Sequence, residues 1–91
     1  MTSYMKQAIE DLEVVGCKGI AVDGWIDKVK AGEAGEVAGH IHEVINDKSA
    51  EYTRGKLFLG RSEEYLELQL SALFVAEESV YDVYLESIRN R

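Results

Sequence analysis

Residues 62–90 read SEEYLELQLSALFVAEESVYDVYLESIRN. The stretch holds neither proline nor glycine and is rich in good helix formers. Leu66, Leu70, Leu73, Val80, Tyr84 and Ile88 fall on one stripe at helical spacing, flanked by Phe74 and Tyr81. Ser62 is a natural N-cap, and Glu63 and Glu64 suit the positive start of a helix, as Arg89 and Arg91 suit its negative end. The pattern predicts a long C-terminal helix and, with it, an all-α fold: a small bundle of three to four helices.

Two features pull against one unbroken helix. Leu66 to Leu70 alternate apolar and polar residues as a half-buried strand does. Paired with Leu57–Leu59, they would form a hairpin at about 56–75, giving an α+β alternative. A helix over 62–90 would also be a rod of roughly 43 Å, whereas a compact domain of this length has a radius of gyration near about 12 Å. Ser79 followed by Asp82 resembles a capping box and marks the expected break.

Upstream, Met5, Ala8, Ile9, Leu12 and Val15 predict a helix over 3–15, capped by Thr2 or Ser3 and stopped at Gly16. Val22, Trp25, Ile26 and Val29 predict a short second helix over 20–31, which Gly24 would shift to a start at Asp23. Val37, Ile41, Val44, Ile45 and Tyr52 predict a third over 36–53, ended by Gly55. All eight glycines lie between Gly16 and Gly60, so the breakers are confined to the connections of the first two thirds.

The chain has 91 residues, 46% of them hydrophobic, which fits a single domain over 1–91 with one modest core. No apolar run approaches the roughly 18 residues of a membrane span. Lys6 is followed by Glu10, Asp11 and Glu13, which is not the pattern of a secretory signal. Cys17 is the single cysteine, which excludes an intrachain disulfide and suits a reducing compartment. A cytoplasmic protein is expected. The formal charge is −7; residues 62–91 carry seven acids and two bases, so most of the excess lies in the last third. Such acidity argues against direct binding of a phosphate backbone.

Several side chains stand out. Glu77 lies within the apolar stripe among Leu73, Phe74, Val80 and Tyr81, where a carboxylate is costly unless it finds a partner or reaches water. Read as a buried acid, it would face a tyrosine hydroxyl or a base from another segment. His40 and His42 differ by about 200° around a helix and do not form a metal pair. No Glu-x-x-His occurs, so neither a metal nor another cofactor is expected. Cys17 has no supporting nucleophile motif, and no phosphate loop, dinucleotide loop or nucleophile elbow is present.

Residues 54–61 contrast with the acidic remainder. Arg54, Lys56 and Arg61 would clamp an acidic partner anchored by Leu57, Phe58 and Leu59, or the apolar triplet would fold onto the core as an inter-helix loop. On the C-terminal helix, Leu68, Ala72 and Val75 lie opposite the main stripe, near a negative face of Glu64, Glu78, Asp82 and Glu86. A helix apolar on nearly every side is either central or covered by another chain. The pattern predicts a homodimer through 65–88.

The expected function is therefore a small acidic helical interaction module, not an enzyme. It would dock on another protein as an inhibitor or adaptor through Glu64, Glu78, Asp82, Glu86, Leu68 and Val75, with Arg54, Lys56 and Phe58 as further contacts. Its size and charge are similar to those of phage anti-defence and immunity proteins, a likeness of class without a shared motif. The alternative is a small oligomeric enzyme or ligand-binding bundle in which Glu77, His40 or His42 and tyrosines converge across chains. A nucleic-acid binder using 54–61 is a third and weaker reading.

Overall fold

The computed structural model describes residues 2–61 and 63–90. It is an all-α bundle of four helices: α1 (Ser3–Cys17), α2 (Asp23–Lys30), α3 (Ala34–Leu59) and α4 (Glu64–Arg89). The expected caps at Ser62 and the charge of Arg91 lie outside the described residues.

Each helix begins or ends for a local reason. The Met5 amide donates to the Thr2 hydroxyl at 3.2 Å, which satisfies one free first-turn N–H of α1. Gly16 does not stop α1; the chain leaves the helix at Lys18 and turns at Gly19, whose φ of 87° lies in the left-handed region. A Cβ at Gly19 would also collide with the Tyr65 hydroxyl. Asp23 is the first residue of α2, where its carboxylate complements the helix dipole, and Lys28 and Lys30 lie in the last turn. Helix α3 runs through Gly55, where it was expected to end, and stops at Gly60 in the left-handed conformation.

Helix α4 is the hub. The Asp11 carboxylate accepts from Ser79, and the Lys18 carbonyl accepts from Tyr65 and Gln69, so α1 runs antiparallel to α4. His42 meets Glu77, and Tyr52 donates to Glu67, so α3 is antiparallel to α4 along its other side. Helix α2 carries the chain back between the end of α1 and the start of α3. The topology is up-down-up-down with one short helix.

The hairpin at 56–75 does not form: residues 56–59 end α3, residues 64–75 begin α4, and no strand occurs among the described residues. The leucine alternation is split by helical geometry instead. Leu66 is buried, Leu68 exposed and Leu70 half-buried. Nor does α4 break at Ser79. That hydroxyl is committed to α1, and the long helix is accommodated because α3 has the same length, 26 residues, and pairs with it. The molecule is accordingly elongated, 49 × 21 × 18 Å with a radius of gyration of 14.2 Å.

One hydrophobic core joins all four helices: Ala8, Leu12 and Val15 from α1, Val29 from α2, Val37, Ile41 and Ile45 from α3, and Leu73, Ala76, Val80 and Val83 from α4. The buried arc of α4 is turned relative to the expected stripe. Gln69, Ala72, Ala76 and Val83 are buried because α1 covers that flank, while Phe74, Tyr81 and Ile88 are exposed.

Candidate functional site

The outward face of α4 carries Leu68 and Val75, two helical turns apart and each 54% exposed. Glu64, Ser71, Glu78 and Asp82 share that face and are exposed, and Glu86 extends it half-buried. A shallow groove between α1 and α4, about 320 Å³, runs under it and is lined by Asp11, Val14, Lys18, Leu68, Ala72 and Val75. Val14 is also largely exposed, so the apolar strip spans both helices. Of the apolar residues expected opposite the main stripe, Leu68 and Val75 face solvent and Ala72 is covered by α1.

The basic segment lies elsewhere. Arg54, Lys56 and Phe58 belong to the last turns of α3, which extend past the end of α1. The triplet does not pack onto the core as a loop. Leu57, Phe58 and Leu59 are 73%, 78% and 62% exposed, because α3 continues as helix beyond anything that could cover it. Lys56 sits over the Tyr52 ring at 5.1 Å, and Arg61 pairs with Glu63 at 3.4 Å. Gly55 is buried against the Glu63 side chain, so this tip is tied to the start of α4.

Glu77 is not fully buried: its side chain is 30% exposed. Its Oε2 lies 3.2 Å from His42 Nδ1 on α3. The two line a cleft of about 540 Å³ between α3 and α4, together with Gly35, Glu36, Gly39, Tyr81 and Tyr84. Gly35 lets the Tyr84 ring lie against the α3 backbone, since a Cβ there would sit 2.8 Å from it. Above Gly39 the space is open. The Tyr81 and Tyr84 rings form one wall, with centroids 6.0 Å apart. Among the described residues, no cysteine or serine lines this cleft beside the imidazole and carboxylate. Cys17 is exposed at the end of α1.

Beside the cleft, Lys28 Nζ donates to Glu36 Oε1 at 2.8 Å and ties α2 to α3. That hydrogen bond holds the Glu36 carboxyl below the usual carboxylate range and raises the Lys28 amine above its ordinary value. The share of Glu36 is present above its ordinary pKa and is lost as pH falls through its lowered one. The share of Lys28 is lost only as pH rises through its raised one. The tie therefore persists across the neutral range. Both groups are exposed, so it adds little to stability. Among the described residues, no group of three or more histidine, cysteine, aspartate or glutamate side chains is arranged to hold a metal ion.

Sequence reasoning missed the polar ties of α1: the Asp11–Ser79 bond and the Lys18 carbonyl shared by Tyr65 and Gln69. A signal existed for one of them. Gln69 stands in helical register with Ala72, Leu73 and Ala76, which makes it a polar residue on an apolar arc. Comparison with known proteins finds no matching family model, no similar curated protein and no similar solved structure. The geometry therefore carries the functional reading by itself. No helix among the described residues is long and apolar enough to cross a membrane.

Proposed function

We propose that the protein is a docking module, an inhibitor or adaptor, that presents the outward face of α4 to a basic protein partner. One observation carries the reading: two large apolar side chains, Leu68 and Val75, stand exposed on a helix face that carries Glu64, Glu78, Asp82 and Glu86, with Arg89 a base at its C-terminal end. Apolar anchors of this kind supply affinity, and the surrounding charge selects and steers the partner. The partner's matching surface is an apolar strip bordered by lysine or arginine.

The test is affinity capture on the immobilised chain beside two variants, one with Glu64→Gln, Glu78→Gln, Asp82→Asn and Glu86→Gln, the other with Leu68→Ser and Val75→Ser. A protein held by the native chain should be lost from both, and should elute as salt rises from about 0.1 to 1 M. Equal retention by the variants would exclude this face, and no retained protein would remove the reading for the extract tested.

The cleft between α3 and α4 favours a second reading, a ligand-binding bundle, because Glu77, His42, Tyr81 and Tyr84 converge there within one chain. A small molecule that raises the melting temperature of the native chain but not of Glu77→Gln would support it. A rise of equal size in both would sink it.

A further inference from the structure

Two exposed surfaces of this chain complement each other. At the end of α3, Leu57, Phe58 and Leu59 project with Arg54, Lys56 and Arg61 around them. On the outward side of α4, Leu68 and Val75 border a groove about 320 Å³ in volume, on a face carrying Glu64, Glu78, Asp82 and Glu86. One is a convex, apolar and basic tip; the other is a shallow apolar groove, lined by Asp11 and Lys18 and flanked along α4 by exposed acids.

We infer that the α3 tip of one copy docks into the α1–α4 groove of a second copy, a head-to-side contact. Phe58 would enter beside Val14, Leu68 and Val75, with Arg54, Lys56 and Arg61 against the acids of α4. Charge decides between this arrangement and a symmetric α4–α4 dimer. An antiparallel pair centred between Leu68 and Val75 sets Glu64 beside Glu78 of the second copy, although it also brings Asp82 level with Arg61, and a parallel pair sets each acid against itself. Either symmetric arrangement juxtaposes like charges, which costs stability at an interface. The head-to-side contact sets the bases of the tip against the acids of α4, with Lys18 a base at the groove.

A contact between unlike surfaces leaves a free tip on one copy and a free groove on the other, so it propagates into open chains unless a ring closes. The interface is small, and weak association is expected. The inference shares the α4 face with the docking reading but needs no second protein, so purified chain alone decides it and its failure leaves that reading standing.

The experiment is sedimentation equilibrium up to about 1 mM, a range suited to weak contacts, on the native chain and two variants with uncharged replacements. One has a defective tip, Phe58→Ser with Lys56→Gln. The other has a defective face, Leu68→Ser with Asp82→Asn. All the altered side chains are exposed, and unchanged helical circular dichroism checks that each variant folds. Should the tip variant misfold, Arg54→Gln with Phe58→Ser replaces it. The native chain should exceed dimer mass as concentration rises, and each variant alone should remain monomeric. An equimolar mixture of the two should give a one-to-one dimer and nothing larger, since only one intact tip and one intact face remain. A monomeric native chain, a monomeric mixture, or a tip variant that still dimerises would each overturn the inference.

Discussion

The carbonyl of Lys18 shows how a single polar atom fixes the position of a helix. It closes the last turn of α1, where carbonyls lack intrahelical partners. It accepts from the Tyr65 hydroxyl at 2.7 Å and from Gln69 Nε2 at 2.9 Å, both on the first turns of α4. Gly19 follows immediately, and its missing Cβ gives the tyrosine room. Tyr65→Phe or Gln69→Leu alone leaves the carbonyl one donor and should cost about 1 kcal/mol in urea denaturation. The double variant leaves it none and should cost at least about 0.5 kcal/mol more than the two single losses together. Strict additivity would mean that water replaces both donors.

At the scale of the element, α4 is the helix whose rotation matters most. Leu73 is fully buried and Leu68 is about half exposed, although both are leucines five residues apart on the same helix. Leu73→Ala should cost about 2–5 kcal/mol, and Leu68→Ala should fall within about 0.5 kcal/mol of the native chain. Comparable losses would show that α4 is turned from the orientation described. The same helix measures what the sequence discloses. Its existence and the burial of Leu66, Leu73 and Val80 follow from periodicity. Its exact buried arc does not, because α4 is covered from two sides. Ala72, Ala76 and Val83 become core only through α1, and no local pattern says which flank a distant helix will take. The end of α3 failed for a related reason. Gly55 resembles a stop, but it is not in the left-handed conformation, and α3 continues through it to Gly60, which is. Of the candidate surfaces, the acidic face of α4 was legible because charge at helical spacing needs no tertiary knowledge. For the cleft, Glu77 with a histidine and tyrosines was legible as a set, but not the choice of His42 or the meeting within one chain, because these depend on the register of α3 against α4.

For the whole molecule, two 26-residue helices set the length, while α1 and α2 cover only part of it. A compact chain of this size would have a radius of gyration near about 12 Å. The Cα value here is 14.2 Å, with a longest extent of 49 Å. Small-angle scattering extrapolated to infinite dilution should therefore give an elongated particle with a maximum dimension of about 50 Å or slightly more once side chains and hydration are included. A near-spherical profile would require α3 or α4 to fold back. The shape also places the exposed tip of α3 at an end of the rod, where nothing in the same copy covers it.

The dependence of α1 on α4 has a consequence in time. Synthesis proceeds from the N-terminus, so Ala8, Leu12 and Val15 are made before Leu73, Ala76 and Val80. Until then α1 is a 15-residue helix with its apolar stripe largely uncovered, a length at which an isolated helix is marginal in water. The hairpin of α3 and α4 closes over the short turn at Gly60, but the contacts that hold α1 span 47 to 68 residues of chain. Completion of the core thus waits for α4, because the contacts that hold α1 close over long stretches of chain.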